Sequence, residues 1–398
     1  MKKLLNLLSN NYFFCIYYLF TSFSFITFLN NIPYINLLPK IALIWGLLLS
    51  FKNIISILKR KPTSIEFFII LLLSVTLILN ITAYFNLENI KCWIVNLILL
   101  TSIFYINTSK DTITLENELN IITNFYIIIT FVFSFISLIL FLFNITISLN
   151  SFIIGNHNGV FENENSLGIS AVIAVMLSIY SFTNKLNKHH KLFLITNIII
   201  QICSIIISTS RSTLFVLIAV FLCLILIKIK NNIARAIIIF APFLSTFLCM
   251  FINHDLLFKF TSGRNELWLS AFTVVKDNYL IGIGNSALVQ TVSDARYIYL
   301  PGIKFGGLHN IYIQILTTNG IFAFISFISL LLVSAFYIIN NTKVNSKEFI
   351  IFALLIGIML INLYESNIFY IVSFISIVFW TYLGYIISII KAKKRDEK

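Results

Sequence analysis

The sequence predicts an all-α, polytopic integral membrane protein of about twelve transmembrane helices, with one large extracytoplasmic loop between the ninth and tenth. Three observations carry that reading. The 398 residues are 59% hydrophobic and only 11% charged, with a mean hydropathy of +0.96. Such a chain has too few polar side chains to cover a water-soluble globule, so the bilayer must be its solvent. Its apolar segments repeatedly approach the roughly 20 residues a helix needs to cross hydrocarbon, where no water satisfies free backbone groups. Strict alternation is absent and many segments outrun the ten or so residues of a barrel strand, which argues against a β-barrel.

In order, the predicted spans are Tyr12–Leu29, Leu37–Ile57, Ile65–Thr82, Ile90–Ile106, Ile121–Phe143 and Ser166–Phe182, then Leu192–Ser208, Thr213–Ile229, Ile233–Ile252, Gly320–Ile339, Phe349–Leu363 and Ile368–Ile390. Lys2 and Lys3 precede the first span as in a secretory signal, but Phe20–Asn30 offers no small-residue cleavage site, so this span is expected to stay. The whole chain reads as a single membrane domain, with the polar stretch 253–308 as its external loop.

Lys and Arg set the orientation. With the amino terminus inside, most of the 28 basic residues fall on the cytoplasmic side. Lys40, Lys91, Arg211, Lys259, Arg264, Lys276, Arg296 and Lys304 remain outside. An even number of spans returns the basic tail Lys391–Lys398 to the cytoplasm, so both termini are expected there. The formal net charge of +13 is then largely a topology signal. It is scattered over short loops with no basic domain to carry it, so nucleic acid is not an expected partner.

Several chemistries lack their residues. Cys15, Cys92, Cys203, Cys223 and Cys249 form no CxxC pair, and their odd, dispersed set argues against disulfides or zinc. His189 and His190 sit among lysines in a predicted cytoplasmic loop, a solvated turn. No DxD occurs, so a metal–nucleotide-sugar site has no ligands, and no metal or cofactor is expected. A polysaccharide flippase or other transporter is the rival from another class. It calls for charged residues in mid-span and symmetry between halves, whereas Lys40, Lys52, Glu66 and Glu348 all lie near span ends.

The charges that need explaining are external. Arg211 lies in a short polar turn, Ser208-Thr-Ser-Arg-Ser-Thr, between two apolar spans. Arg264 opens Ser262-Gly-Arg-Asn-Glu-Leu-Trp268, after which Trp268, Ala271, Phe272 and Val275 recur at helical steps and suggest an amphipathic helix lying on the membrane. Gly282-Ile-Gly284-Asn285 follows, where paired glycines let backbone approach a ligand. His309 and Asn310 open the return into the membrane, ten residues before Gly320. Arginine forks bind phosphate oxygens bidentately and stay charged, so a pair suits a pyrophosphate leaving group. A histidine can take the proton of an attacking hydroxyl.

At these residues the chain resembles the O-antigen ligase and O-antigen polymerase superfamily of bacterial membrane glycosyltransferases. The Arg211 turn, Arg264 with Trp268, the Gly282–Asn285 turn and the His309-to-Gly320 spacing each resemble a family motif. Upstream, Gly159-Val-Phe161-Glu-Asn163-Glu-Asn165 resembles a Gly-x-Phe-x-Asn-x-Asn segment, with Glu164 where many members have proline. The resemblance implies a multi-pass enzyme of the bacterial inner membrane, working without metal or cofactor and with inversion. It implies a donor glycan on undecaprenyl pyrophosphate, a glycan acceptor and membrane lipid as partners, and leaves room for a chain-length regulator. It assigns catalysis to His309, Arg211 and Arg264. Substrate binding falls to both arginines, Trp268, Gly282, Gly284, Asn285, Asn310, Asn163 and Asn165.

The acceptor stays open among another lipid-linked repeat unit, lipid A-core and a protein hydroxyl. In the loop, Lys259, Arg264, Lys276, Arg296 and Lys304 nearly balance Asp255, Glu266, Asp277 and Asp294. That is a poor dock for phosphorylated lipid A-core. Phe161–Gly168 also looks closer to polymerase members, and an O-antigen or capsular polysaccharide polymerase is the favoured expectation, with a ligase or protein O-oligosaccharyltransferase as the alternative.

Overall fold

Helices account for nearly all regular structure in the computed structural model, which describes residues 8–149, 152–184, 186–210, 213, 229, 231, 233–235, 237, 241, 258, 261–296, 303, 307–342 and 346–397. The first half holds α1 (Asn11–Ile26), α2 (Leu37–Leu58), α3 (Ser64–Thr82), α4 (Leu87–Ile98) and α5 (Thr112–Leu142). A short hairpin, β1 (Thr146–Ser148) with β2 (Ile153–Gly155), separates α5 from α6 (Glu164–Phe182) and α7 (Lys188–Ser208). After the undescribed stretch come α8 (Arg264–Asn278), α9 (Leu288–Asp294), α10 (Ile311–Asn341), α11 (Lys347–Ile361) and α12 (Phe374–Asp396). Among the described residues, seven helices (α2, α3, α5, α6, α7, α10 and α12) are long and apolar enough to cross a membrane, and α1 is a shorter apolar helix. The expected spans Thr213–Ile229 and Ile233–Ile252 lie almost wholly outside the described residues.

Helix starts follow side-chain capping, which satisfies first-turn amides that have no helical acceptor. Thr63 and Glu66 form a capping box on α3, Asp111 caps α5, Asn163 caps α6, and Ser373 with Ser376 caps α12. Because caps and not hydropathy fix these ends, α5 begins at Thr112 and α10 at Ile311, well before the apolar windows, while α12 begins at Phe374 after an irregular segment, 362–373. The fourth span also departs from a single helix. It widens into a π turn, Leu99–Ile103, whose freed carbonyls are taken up by neighbours: Asn53 Nδ2 donates to Thr101 O at 2.8 Å and Asn11 Nδ2 to Ser102 O at 2.9 Å.

Burial separates core helices from the lipid-facing rim. In α12, 94% of the membrane-length window is buried inside the protein, against 33% in α2. Helix α12 packs on α1, α5, α10 and α11 and forms the axis of the bundle. One end of that bundle gathers basic side chains onto carboxylates and carbonyls. Lys347 Nζ is 2.6 Å from Glu116 Oε2, Lys393 Nζ is 2.5 Å from Glu348 Oε1, and Arg395 Nη2 donates to Lys110 O at 2.8 Å. The amino-terminal ends of α6, α8, α10 and α12 meet at the other.

Candidate active site

The irregular segment between α11 and α12 supplies the centre of the site. Glu365 Oε1 lies 3.2 Å from Arg264 Nη1 and accepts from Asn165 Nδ2 at 3.2 Å. Its other oxygen, Oε2, lies 3.3 Å from His309 Nδ1. Asn165 Oδ1 in turn accepts from Ser210 Oγ at 2.8 Å, and Thr209 Oγ1 bonds Glu164 at 3.3 Å. Four segments remote in sequence thus meet at one carboxylate. Arg211 lies outside the described residues, although its neighbour Ser210 is one hydrogen bond from Asn165.

Each side chain is positioned by the backbone that carries it. Arg264 is the first residue of α8, and its Nη1 also donates to Tyr364 O. One turn on, Trp268 donates from its indole to Leu308 O at 2.9 Å and packs its ring 5.9 Å from that of Tyr364. Trp268 is 1% exposed. The apolar stripe of α8 therefore faces protein and not lipid, and the tryptophan acts as a strut behind the cavity. Asn310 caps α10 through the amides of Tyr312 and Ile313 and donates to Leu363 O at 3.0 Å, tying the start of α10 to the end of α11. His309, just before that cap, has φ +47°, a conformation that non-glycine residues adopt only where surrounding contacts enforce it.

A cavity of about 700 Å³ opens beside these groups. Its lining includes polar residues, Glu162, Asn163, Asn165, Arg264, His309 and Glu365, and apolar ones, Phe25, Leu43, Val95 and Ile371. First-turn or pre-helical residues of α6, α8, α10 and α12 all line it. Helix amino termini carry partial positive charge, so the polar lining favours an anion. Burial raises the Glu365 carboxyl, but the His309 hydrogen bond and the charges of Arg264 and His309 outweigh it and hold the group below its ordinary value. An ionised Glu365 can only accept, so His309 Nδ1 is the donor of this bond. Among the described residues the bonds of Arg264 use Nη1 alone, and its Nε–Nη2 edge makes none of them.

The glycine turn sits elsewhere. Ile283 and Gly284 donate their amides to Thr317 O and Thr318 O at 3.1 and 2.9 Å, where α10 breaks at Gly320 (φ 69°, ψ −173°). A Cβ on Gly282 would meet the Thr318 carbonyl, and one on Gly320 the Leu280 carbonyl. Asn285 bonds Cys92 and Gln314. Gly282, Gly284 and Asn285 lock α8 onto α10 and do not line the cavity, whereas Asn163, Asn165, Arg264 and His309 do.

Residues 196–328 match a family model described as O-antigen ligase. The likeness extends over that stretch, 133 of the 398 residues. None of the curated proteins or solved structures matches the chain. The O-antigen ligase match takes in Arg211, Arg264, Trp268, the glycine turn, His309 and Gly320. Asn163, Asn165 and Glu365 fall outside it, so residues from both sides of the matched segment join it at the cavity. The sequence reading passed over Glu365. Its signal was available: it is a single carboxylate between the last two apolar spans, in Asn362-Leu-Tyr-Glu365-Ser-Asn-Ile, and carboxylates there are costly and mark function.

Proposed function

We propose that this protein is an O-antigen or capsular polysaccharide polymerase. In this reading it moves a glycan from undecaprenyl pyrophosphate onto another lipid-linked repeat unit, at the extracytoplasmic face of the inner membrane. The observation that carries it is the Arg264–Glu365–His309 constellation in a cavity lined by both polar and apolar side chains, at the end of the bundle opposite the basic cluster. A polyprenyl chain fits the apolar side chains and a pyrophosphate the arginine edge and helix termini. The positive-inside rule makes the basic end cytoplasmic, which puts the cavity and the loop 253–308 outside and both termini inside.

The chemistry needs no metal. The acceptor hydroxyl oxygen attacks the anomeric carbon from the face opposite the pyrophosphate, with inversion, and the bond from that carbon to the pyrophosphate oxygen breaks. His309 Nε2 takes the hydroxyl proton, and Glu365 stabilises the imidazolium it becomes, as a carboxylate does behind other catalytic histidines. Arg264, with Arg211 from the superfamily motif, neutralises the undecaprenyl pyrophosphate that leaves.

Deletion of the gene tests the acceptor. A polymerase mutant still displays a surface glycan one repeat unit long. A mutant that displays none and accumulates polymer on undecaprenyl pyrophosphate identifies a ligase and overturns the polymerase reading.

A further inference from the structure

Among the described residues two carboxylates line the 700 Å³ cavity, Glu162 and Glu365, and they are in opposite states. Glu365 is engaged on both oxygens, by Arg264, Asn165 and His309. Glu162 is exposed, and its carboxylate has no hydrogen bond or ion pair. The backbone beneath it is nonetheless fixed. Glu162 N donates to Ile26 O at 2.8 Å and Phe28 N to Val160 O at 3.0 Å. Asn158 Nδ2 donates to Phe161 O at 2.7 Å, and Phe161 is fully buried. This ledge is bound to the end of α1 and leads straight into α6, but the Glu162 side chain does nothing to hold it. The cap of α6 is Asn163, and the acid in its first turn is Glu164, which Thr209 bonds.

We propose that Glu162 is an acceptor-recognition residue, whose carboxylate takes hydrogen bonds from hydroxyls at the reacting end of the acceptor glycan. The inference rests on the reading of the cavity as a transferase site. A carboxylate accepts through two oxygens and donates nothing, so its ligand must bring donors and no negative charge. A polyprenyl chain brings no donor. A pyrophosphate brings like charge, and it belongs to the reacting end of the donor, where its bond to the anomeric carbon breaks. The acceptor reacts through a hydroxyl remote from its own pyrophosphate. That end offers hydroxyls without a phosphate, and it is the reactant group that suits Glu162. A polymerase must seat two copies of one lipid-linked glycan by opposite ends, and an arginine for one end with a carboxylate for the other separates them.

The test uses the full-length protein in lipid nanodiscs and two probes: undecaprenyl pyrophosphate alone, and the repeat-unit oligosaccharide released from its lipid after extraction from the producing cells. Glu162→Gln is expected to bind the bare lipid as the parent does and the oligosaccharide about tenfold more weakly, since bonds to a charged acceptor are the strong ones. Glu162→Asp keeps the charge and restores part of the affinity. The thermal midpoints of both variants stay at the parent's, because the side chain makes no bond that folding needs. Oligosaccharide binding by Glu162→Gln equal to the parent's, or none by the unaltered protein, overturns the assignment and leaves the pyrophosphate reading standing. Loss of the bare lipid with the oligosaccharide retained puts Glu162 at the donor, and a fall in thermal midpoint marks a structural residue; either also overturns it. If the unaltered protein does not bind undecaprenyl pyrophosphate, the reading of the cavity itself fails.

Discussion

Glu365 reaches Asn165, Arg264 and His309 across sequence separations of 200, 101 and 56 positions. Its ionised form is the one those partners stabilise, so Glu365→Gln keeps the shape and removes the charge behind the imidazole. Transfer is expected to fall by about 10²- to 10⁴-fold, with binding of undecaprenyl pyrophosphate retained, as measured by turnover against lipid affinity. The folded-state carboxyl lies below its ordinary value of 4.5. Its contribution to stability is therefore complete above about pH 4.5 and disappears as pH falls through the depressed value. Thermal unfolding followed across that window should show a slope that Glu365→Gln lacks. Arg264→Ala is expected to abolish transfer at unchanged protein level, and Arg264→Lys to restore only part of it, since an ammonium has no bidentate edge. Normal polymer from Arg264→Ala would rule out the pyrophosphate role. Arg264 and His309 could be read from the sequence because each sits in a local motif; their shared carboxylate could not, since only folding brings it to them.

At the scale of elements, the join between the 279–285 turn and broken α10 decides whether α8 and α10 present Arg264 and His309 together. Gly282 and Gly320 have φ of +72° and +69° and stand against carbonyls, so a methyl group is both strained and obstructed. Gly282→Ala or Gly320→Ala is expected to cost about 2–4 kcal/mol, with a lower thermal midpoint and lower turnover. A loss of lipid affinity at full stability would instead put the turn in the binding site. Hydropathy located the apolar middles of the described helices well, because lipid exposure and protein burial both demand apolar residues. Their ends were missed where polar caps such as Asp111, Asn310 and Ser373 extend or delay a helix, information a hydropathy window averages away. The sequence shows that the glycine turn needs close backbone approach but not to what, since a phosphate and another helix ask for the same residues, and in the structure the turn stands against Thr317 and Thr318.

For the whole molecule, the two ends of the bundle differ in kind: carboxylates paired to lysines and carbonyls to Arg395 at one, a cavity lined by helix amino termini at the other. Single-cysteine labelling is expected to reach Glu162 and Asn285 from the outside and Lys188 and Lys394 only after the membrane is opened. Labelling of Lys188 in intact cells would reverse the sidedness and remove the cavity from the extracytoplasmic face. The near-complete enclosure of α12 has a consequence for biogenesis. Among the described helices it leaves the ribosome last, yet it is the one around which α1, α5, α10 and α11 close, and the segment just ahead of it delivers Glu365. Until it inserts, the earlier helices must wait in the bilayer around an empty socket, with polar faces such as those of Thr123 and Glu118, which bond Tyr382 and Tyr385, turned to lipid or to an insertase. In the proposed reading the site is therefore expected to become complete only once α12 has inserted, and chains truncated before Phe374 are expected to show no transfer and faster turnover in the cell than the full-length protein.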